Sequence, residues 1–130
     1  MIFSFTPGER HVFRRRPRIP VSRWAAAHLV IPDGPFRGGR FRLDVNPYLP
    51  GIMDTWGEPG VEEVLVRGAP QTGKTLAVYA CLSYAVDMRP GPRMLGMPDD
   101  ETLRKVTDAK LKPMFRACRP VRELLGKISG

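Results

Sequence analysis

The stretch GAPQTGKT, Gly68 to Thr75, constrains this chain more than any other feature. It fits the pattern GxxxxGK[ST] and stands between an apolar run, VEEVLVRG, and a stretch free of proline and glycine, KTLAVYACLSYAVDM. A short β-branched run ending on glycine predicts a buried strand, and the dense apolar run after the loop predicts a helix covered on most sides. Strand, glycine-rich turn and helix together predict a cradle for phosphate.

Each fixed residue of the pattern has a physical task. Gly68 and Gly73 are expected to let the backbone bend so that its N–H groups point at phosphate oxygens, with Ala69, Pro70, Gln71 and Thr72 as the variable interior. Lys74 brings a compact positive charge to the β- and γ-phosphates. Thr75, in the first turn of the helix, offers a hydroxyl to Mg²⁺, and the helix N-terminus adds its partial positive charge. The implied ligands are ATP and Mg²⁺.

Hydrolysis asks for more: an aspartate that holds the metal and a residue that orients water. Asp99, Asp100 and Glu101 follow the apolar run RMLGM, which is expected to lie beside the first strand, and so imitate that arrangement. Pro98 ends the run before the acids, however, and Gly96 weakens it. The acids are better placed to cap the next helix, whose Leu103, Val106, Lys110 and Met114 recur at intervals of three and four. No other hydrophobic run ending in acid follows, so this chain is expected to bind nucleotide without the apparatus to cut it.

The charge is uneven. Residues 1–42 hold nine arginines and no lysine against Glu9 and Asp33, which accounts for +7 of a net +8. That region predicts an extended basic arm suited to a polyanion such as double-stranded DNA, interrupted by one short helix, RWAAAHL, with Ser22 as its N-cap and Trp24, Ala27 and His28 facing inward. His28 has no acid or nucleophile at matching spacing and is read as filler. IPDGPFRGGRFR is loop chemistry, and a further short helix is expected in PYLPGIMDTW. Cys81 and Cys118 belong to no CxxC or Cys/His cluster and read as reduced, half-buried helix residues. The longest apolar run falls short of the roughly 20 residues of a membrane span, and no secretory signal is evident, so the expected location is the cytoplasm with no membrane partner.

The fold expected from these features is α/β, similar to P-loop NTPases but incomplete: the first strands and helices of a mainly parallel sheet over residues 43–130, after a basic arm over 1–42. Such a half-sheet would leave apolar edges uncovered, giving marginal stability and a tendency to aggregate.

The order and spacing of SRWA, NPYLPGIMD, VEEVLVRGAPQTGKT and PDDETLRKVTDAKLKPMF, over roughly residues 22 to 116, resemble the large terminase subunit of tailed phages, of the lambda-like GpA group. That resemblance implies an ATPase motor that pushes viral DNA into a capsid, joined to a nuclease and working as an oligomer with a small subunit and a portal. It implies that Tyr48 faces adenine, where a planar ring can stack on a purine; the family often has glutamine next, and here Leu49 and Pro50 follow. It also implies that Arg67, just before the loop, approaches the γ-phosphate as a cis-acting arginine. The magnesium aspartate, the catalytic glutamate and the nuclease domain would then lie beyond Gly130. The residues alone leave two other readings open: a piece of a helicase-like ATPase, and a non-enzymatic binder of DNA or a partner whose loop is vestigial.

Overall fold

A computed structural model describes residues 4–7, 9–10 and 16–128, the side chains of 127 and 128 excepted. From Val21 onward the helices are α1 Val21–His28, α2 Leu49–Gly57, α3 Lys74–Met88, α4 Asp100–Val106, then a π-helical turn Thr107–Leu111 that runs into α5 Lys112–Ala117, followed by α6 Arg119–Ile128. The Arg14–Arg15 part of the basic arm lies outside the described residues.

The expected parallel sheet is not there. Among the described residues the only β pairing is an isolated antiparallel bridge between Val30 and Arg40. The segments predicted as strands, around Val61–Arg67 and Arg93–Met97, are extended but carry no ladder, and no backbone hydrogen bond joins them. The physical reason lies in their partners: each runs past one face of α3, turning Val64, Val66 and Leu95 toward the helix while Leu65 and Met94 are 76% and 96% exposed. A cavity of about 560 Å³ separates the two segments from Val78 and Leu82 of α3. Apolar alternation therefore lines a cavity beside a helix, but among the described residues the backbone groups that would make a sheet find no neighbouring strand.

The core is instead a helical layer around α3. Its Ala77, Tyr79, Ala80, Cys81, Ser83, Tyr84 and Ala85 are buried, and α1, α2 and α6 pack on it. Small residues on α3 let Trp24, Leu49, Met53 and Val121 approach closely; all four are essentially inaccessible. The Tyr84 ring meets Trp24 edge-on, at 5.8 Å and 84°, a favoured aromatic geometry. Gly57 is required where α2 crosses α1, since a Cβ there would come within 2.9 Å of the Val21 side chain.

Polar ties fix the same layer. Helix α1 starts at Val21 after Pro20, so Ser22 lies inside the helix rather than at its N-cap. Its amide and hydroxyl donate to the Asp54 carboxylate of α2 at 2.8 and 2.7 Å, so a neighbouring helix satisfies an amide that α1 itself leaves open. Trp24 is buried as expected, but Ala27 and His28 face solvent. The Trp24 Nε1 donates to Asp87 at 2.8 Å, and Arg16 reaches the same carboxylate at 3.0 Å. The Tyr84 hydroxyl donates to the Ile19 carbonyl at 2.9 Å. The described end of the basic arm is thus moored along the C-terminal half of α3. Near the chain start the Arg10 amide donates to the Thr6 carbonyl at 2.9 Å, one helical turn where an extended segment was expected.

Both cysteines are buried rather than half-buried. Burial pushes the Cys81 thiol up to about 12 and raises that of Cys118 as well. Residues 29–41 form a closed hairpin-like loop: the Ile31 amide donates to Gly39, Gly38 to Ile31 and Phe41 to Leu29, at 2.9, 2.9 and 3.0 Å. Lys110 of the π-helical turn holds its tip through Asp33 at 3.0 Å.

Candidate functional site

Helix α3 opens at Lys74, and the first backbone bond inside it runs from the Ala77 amide to the Gly73 carbonyl at 3.1 Å. The amides of Gln71, Thr72, Gly73, Lys74, Thr75 and Leu76 donate to no group among the described residues. Three of the loop's carbonyls, those of Gly68, Ala69 and Thr72, by contrast accept from side chains. Lys74 Nζ donates to the Gly68 carbonyl at 2.7 Å, to that of Ala69, and to the Thr72 hydroxyl at 3.3 Å. The Thr72 hydroxyl donates to Ala69 at 2.9 Å, and the Tyr48 hydroxyl donates to the Thr72 carbonyl at 2.5 Å. Side chains thus absorb the negative ends of the loop's peptide dipoles while the positive ends stay open beside a helix N-terminus. That distribution suits an anion.

The bend itself depends on two positions. Gly73 has φ 81° and Gln71 φ 57°, the left-handed region that costs little only for glycine. At Gly73 a Cβ would also meet a Leu49 methyl at 3.0 Å and the Asn46 amide nitrogen at 3.1 Å. Gly68 differs from expectation: its φ is not positive, and a Cβ there would sit at ordinary contact distance from Thr72 and Lys74. The demand for bare backbone falls on the end of the loop where it enters the helix.

The sequence-predicted residues divide in space. Gly68, Ala69, Thr72, Gly73, Lys74 and Tyr48 come together in one hydrogen-bonded cluster, with Tyr48 carried in from α2's N-terminal flank, its ring 48% exposed. Pro70 and Gln71 are exposed on the outer bend. Thr75 is exposed and lines the 560 Å³ cavity, its hydroxyl bonded to no group among the described residues. Arg67 is exposed, and its side chain makes no hydrogen bond or ion pair among the described residues. Asp99 accepts from the Thr102 amide at 2.7 Å and its hydroxyl at 2.9 Å, the expected N-cap of α4.

A second cavity, about 460 Å³, opens beside the loop between the 29–41 hairpin and the first turn of α3. Phe36, Phe41, Arg37, Arg40, Asn46 and Leu76 are among its lining residues. Sequence reasoning passed over these as turn chemistry. The available signal was the interleaving of phenylalanine with arginine in a glycine-rich segment, a combination suited to planar, anionic ligands.

No helix among the described residues is long and apolar enough to cross a membrane. No curated protein and no solved structure is significantly similar to the chain. Residues 37–130, which contain the loop, Tyr48 and only the last part of the 29–41 hairpin, match the family model of the phage terminase large subunit gpA, ATPase domain. With that match over most of its length and the loop geometry above, this chain belongs to the gpA family of phage terminase large subunits, in its ATPase region.

Proposed function

We propose that Gly68–Thr75 is a phosphate-binding loop of the Walker A kind that holds the triphosphate of ATP. The observation that carries this is the set of six consecutive open amides, Gln71 to Leu76, at the start of a 15-residue helix whose flanking carbonyls are already bonded. Membership of an ATPase family gives the anion its chemical class. Lys74 lies on the rim, where exchanging its bonds to Gly68 and Ala69 for phosphate oxygens would require only a side-chain rotation. Thr75 fits a metal-holding role, since its hydroxyl is open, exposed and one residue into the helix. When bound there, Mg²⁺ neutralises charge on the β- and γ-oxygens. Tyr48 belongs to the same site: its hydroxyl anchors Thr72, and its half-exposed ring is the surface that family resemblance assigns to adenine. Arg67, exposed and unbonded one residue before the loop, is the proposed charge-stabilising arginine.

In the working protein this region is proposed to couple ATP hydrolysis to translocation of double-stranded DNA, as an oligomer that meets a small subunit and a portal. Family membership supports that assignment, and the arginine-rich segment before residue 42 suits a phosphate backbone.

Titration calorimetry with inorganic tripolyphosphate and with ATP–Mg²⁺ tests the loop. Wild type is expected to bind both, and Lys74→Ala to weaken both by about a hundredfold, the scale of losing a charge-assisted contact to phosphate. Equal affinity in the two proteins would remove the phosphate reading.

A further inference from the structure

We propose that the side-chain amide of Asn46 donates to the polyphosphate held by Gly68–Thr75, a ligand contact carried in from outside the loop's own pattern. This rests on the phosphate reading above and adds a residue to it.

Asn46 stands in the turn before α2, followed by Pro47. An asparagine in such a turn ordinarily folds its side chain back onto nearby backbone or caps the helix that follows. Here it does neither. Tyr48 occupies the N-cap position of α2, which has no side-chain cap, and the Asn46 side chain makes no hydrogen bond among the described residues. The backbone closes the turn instead, the Leu49 amide donating to the Asn46 carbonyl at 3.1 Å. Both N–H donors of the side chain are therefore open although the residue is part-buried, a position in which an unmade hydrogen bond is costly and a ligand that makes it is favoured.

The open donor stands at the phosphate loop. Asn46 Nδ2 lies 3.1 Å from where a Cβ on Gly73 would be, and the Gly73 amide belongs to the open run Gln71 to Leu76. Neighbouring residues fix this approach: a Leu49 methyl lies 3.0 Å from the same Cβ position, and the Tyr48 hydroxyl donates to the Thr72 carbonyl at 2.5 Å. The donor is thus held in place before a ligand arrives, which lowers the ordering cost of binding. Asn46 also lines the 460 Å³ cavity beside Leu76, whose amide ends the open run. Arg37, Arg40 and Arg42 line that cavity against a single acid, Asp33, which is paired with Lys110 at 3.0 Å. The surrounding charge favours an anion, and a neutral carboxamide adds a donor there without repelling Lys74.

Titration calorimetry of the 130-residue chain with inorganic tripolyphosphate and with ATP–Mg²⁺ tests the contact. Asn46→Ala is expected to weaken both by about tenfold, the scale of one hydrogen bond to a charged group. Asn46→Asp keeps the size but puts a carboxylate where the donor was, and is expected to weaken both by about a hundredfold. Since the side chain bonds to no group among the described residues, both variants are expected to melt like wild type. A second measurement needs wild type alone: the Asn46 side-chain N–H resonances in a nitrogen-15 correlation spectrum are expected to move as tripolyphosphate is added. Unchanged tripolyphosphate affinity in Asn46→Ala, equal affinity in Asn46→Asp and Asn46→Ala, or resonances that stay in place at saturation each overturns the proposal. The loop reading survives those outcomes as long as Lys74→Ala still weakens binding. Loss of ATP affinity alone, with tripolyphosphate affinity kept, also overturns the proposal and assigns Asn46 to another part of the nucleotide. Failure of wild type to bind tripolyphosphate at all overturns the loop reading and this one with it.

Discussion

Gly73 concentrates the requirements of the loop in one residue. It takes a positive φ, stands at the N-cap of α3, and a Cβ there would press tightly on a Leu49 methyl at 3.0 Å, Leu49 being itself fully buried. Gly73→Ala is expected to cost about 1–2 kcal/mol from the backbone alone, measured as a lowered urea midpoint. Tripolyphosphate affinity should fall with it, because the amides of Thr72 to Thr75 would no longer converge. Gly68→Ala supplies the contrast: with ordinary contact distances and no positive φ, its stability is expected to stay near wild type. Similar losses in both variants would show that the bend is distributed along the loop rather than focused at its end. The glycines of the motif were legible in the sequence as a pair, but their unequal burden was not, since it comes from Leu49 and Asn46 more than 20 residues away.

At the scale of elements, the helix from Asp100 to Ala117 shows how local chemistry and context share the work. Asp99 caps it, and the hydrogen bond from the Thr102 amide holds the Asp99 carboxyl below its ordinary 3.8. A carboxylate depressed in the folded state stabilises fully above the ordinary value and loses that contribution as pH falls through the lowered one. The protection of the Thr102 amide from exchange, taken relative to an unstructured peptide at the same pH, should accordingly fall as the pH is taken below 3.8. Asp99→Asn should keep the cap and remove that pH dependence, and an unchanged acid response in this variant would assign it to another group. The cap and the apolar spacing were readable directly. The π-helical turn at Thr107–Leu111 was not: Pro113 follows it, lacking an N–H and crowding the carbonyl four residues back, and the wider turn relieves that conflict.

For the molecule as a whole, apolar side chains without cover are the main feature. Leu65 and Met94 are 76% and 96% exposed, on segments whose backbone groups pair with no other backbone group among the described residues, and Val78 of α3 is 48% exposed. Unpaired extended backbone flanked by apolar side chains templates association. Leu65→Lys with Met94→Lys is expected to reduce concentration-dependent association in sedimentation velocity, with stability held within about 0.5 kcal/mol because neither side chain is packed. A large loss of stability in the double variant would mean that these residues are buried in solution.

The sequence by itself determined the helix Lys74–Met88, an acidic cap at Asp99 or Asp100 and the family, because each is written in contiguous residues whose spacing carries the physics. Tertiary structure decided the rest. Alternating apolar residues at Val61–Arg67 promised a strand, yet a strand becomes a sheet only when a neighbour takes up its backbone bonds, and here Val64 and Val66 line a cavity beside α3 with no partner for the amides and carbonyls among the described residues. The cavity beside the loop likewise exists only because a hairpin rich in arginine, a turn before α2 and one leucine of α3 meet in space. Local patterns can specify a backbone's shape, but contacts between distant segments depend on which surfaces the whole chain leaves open.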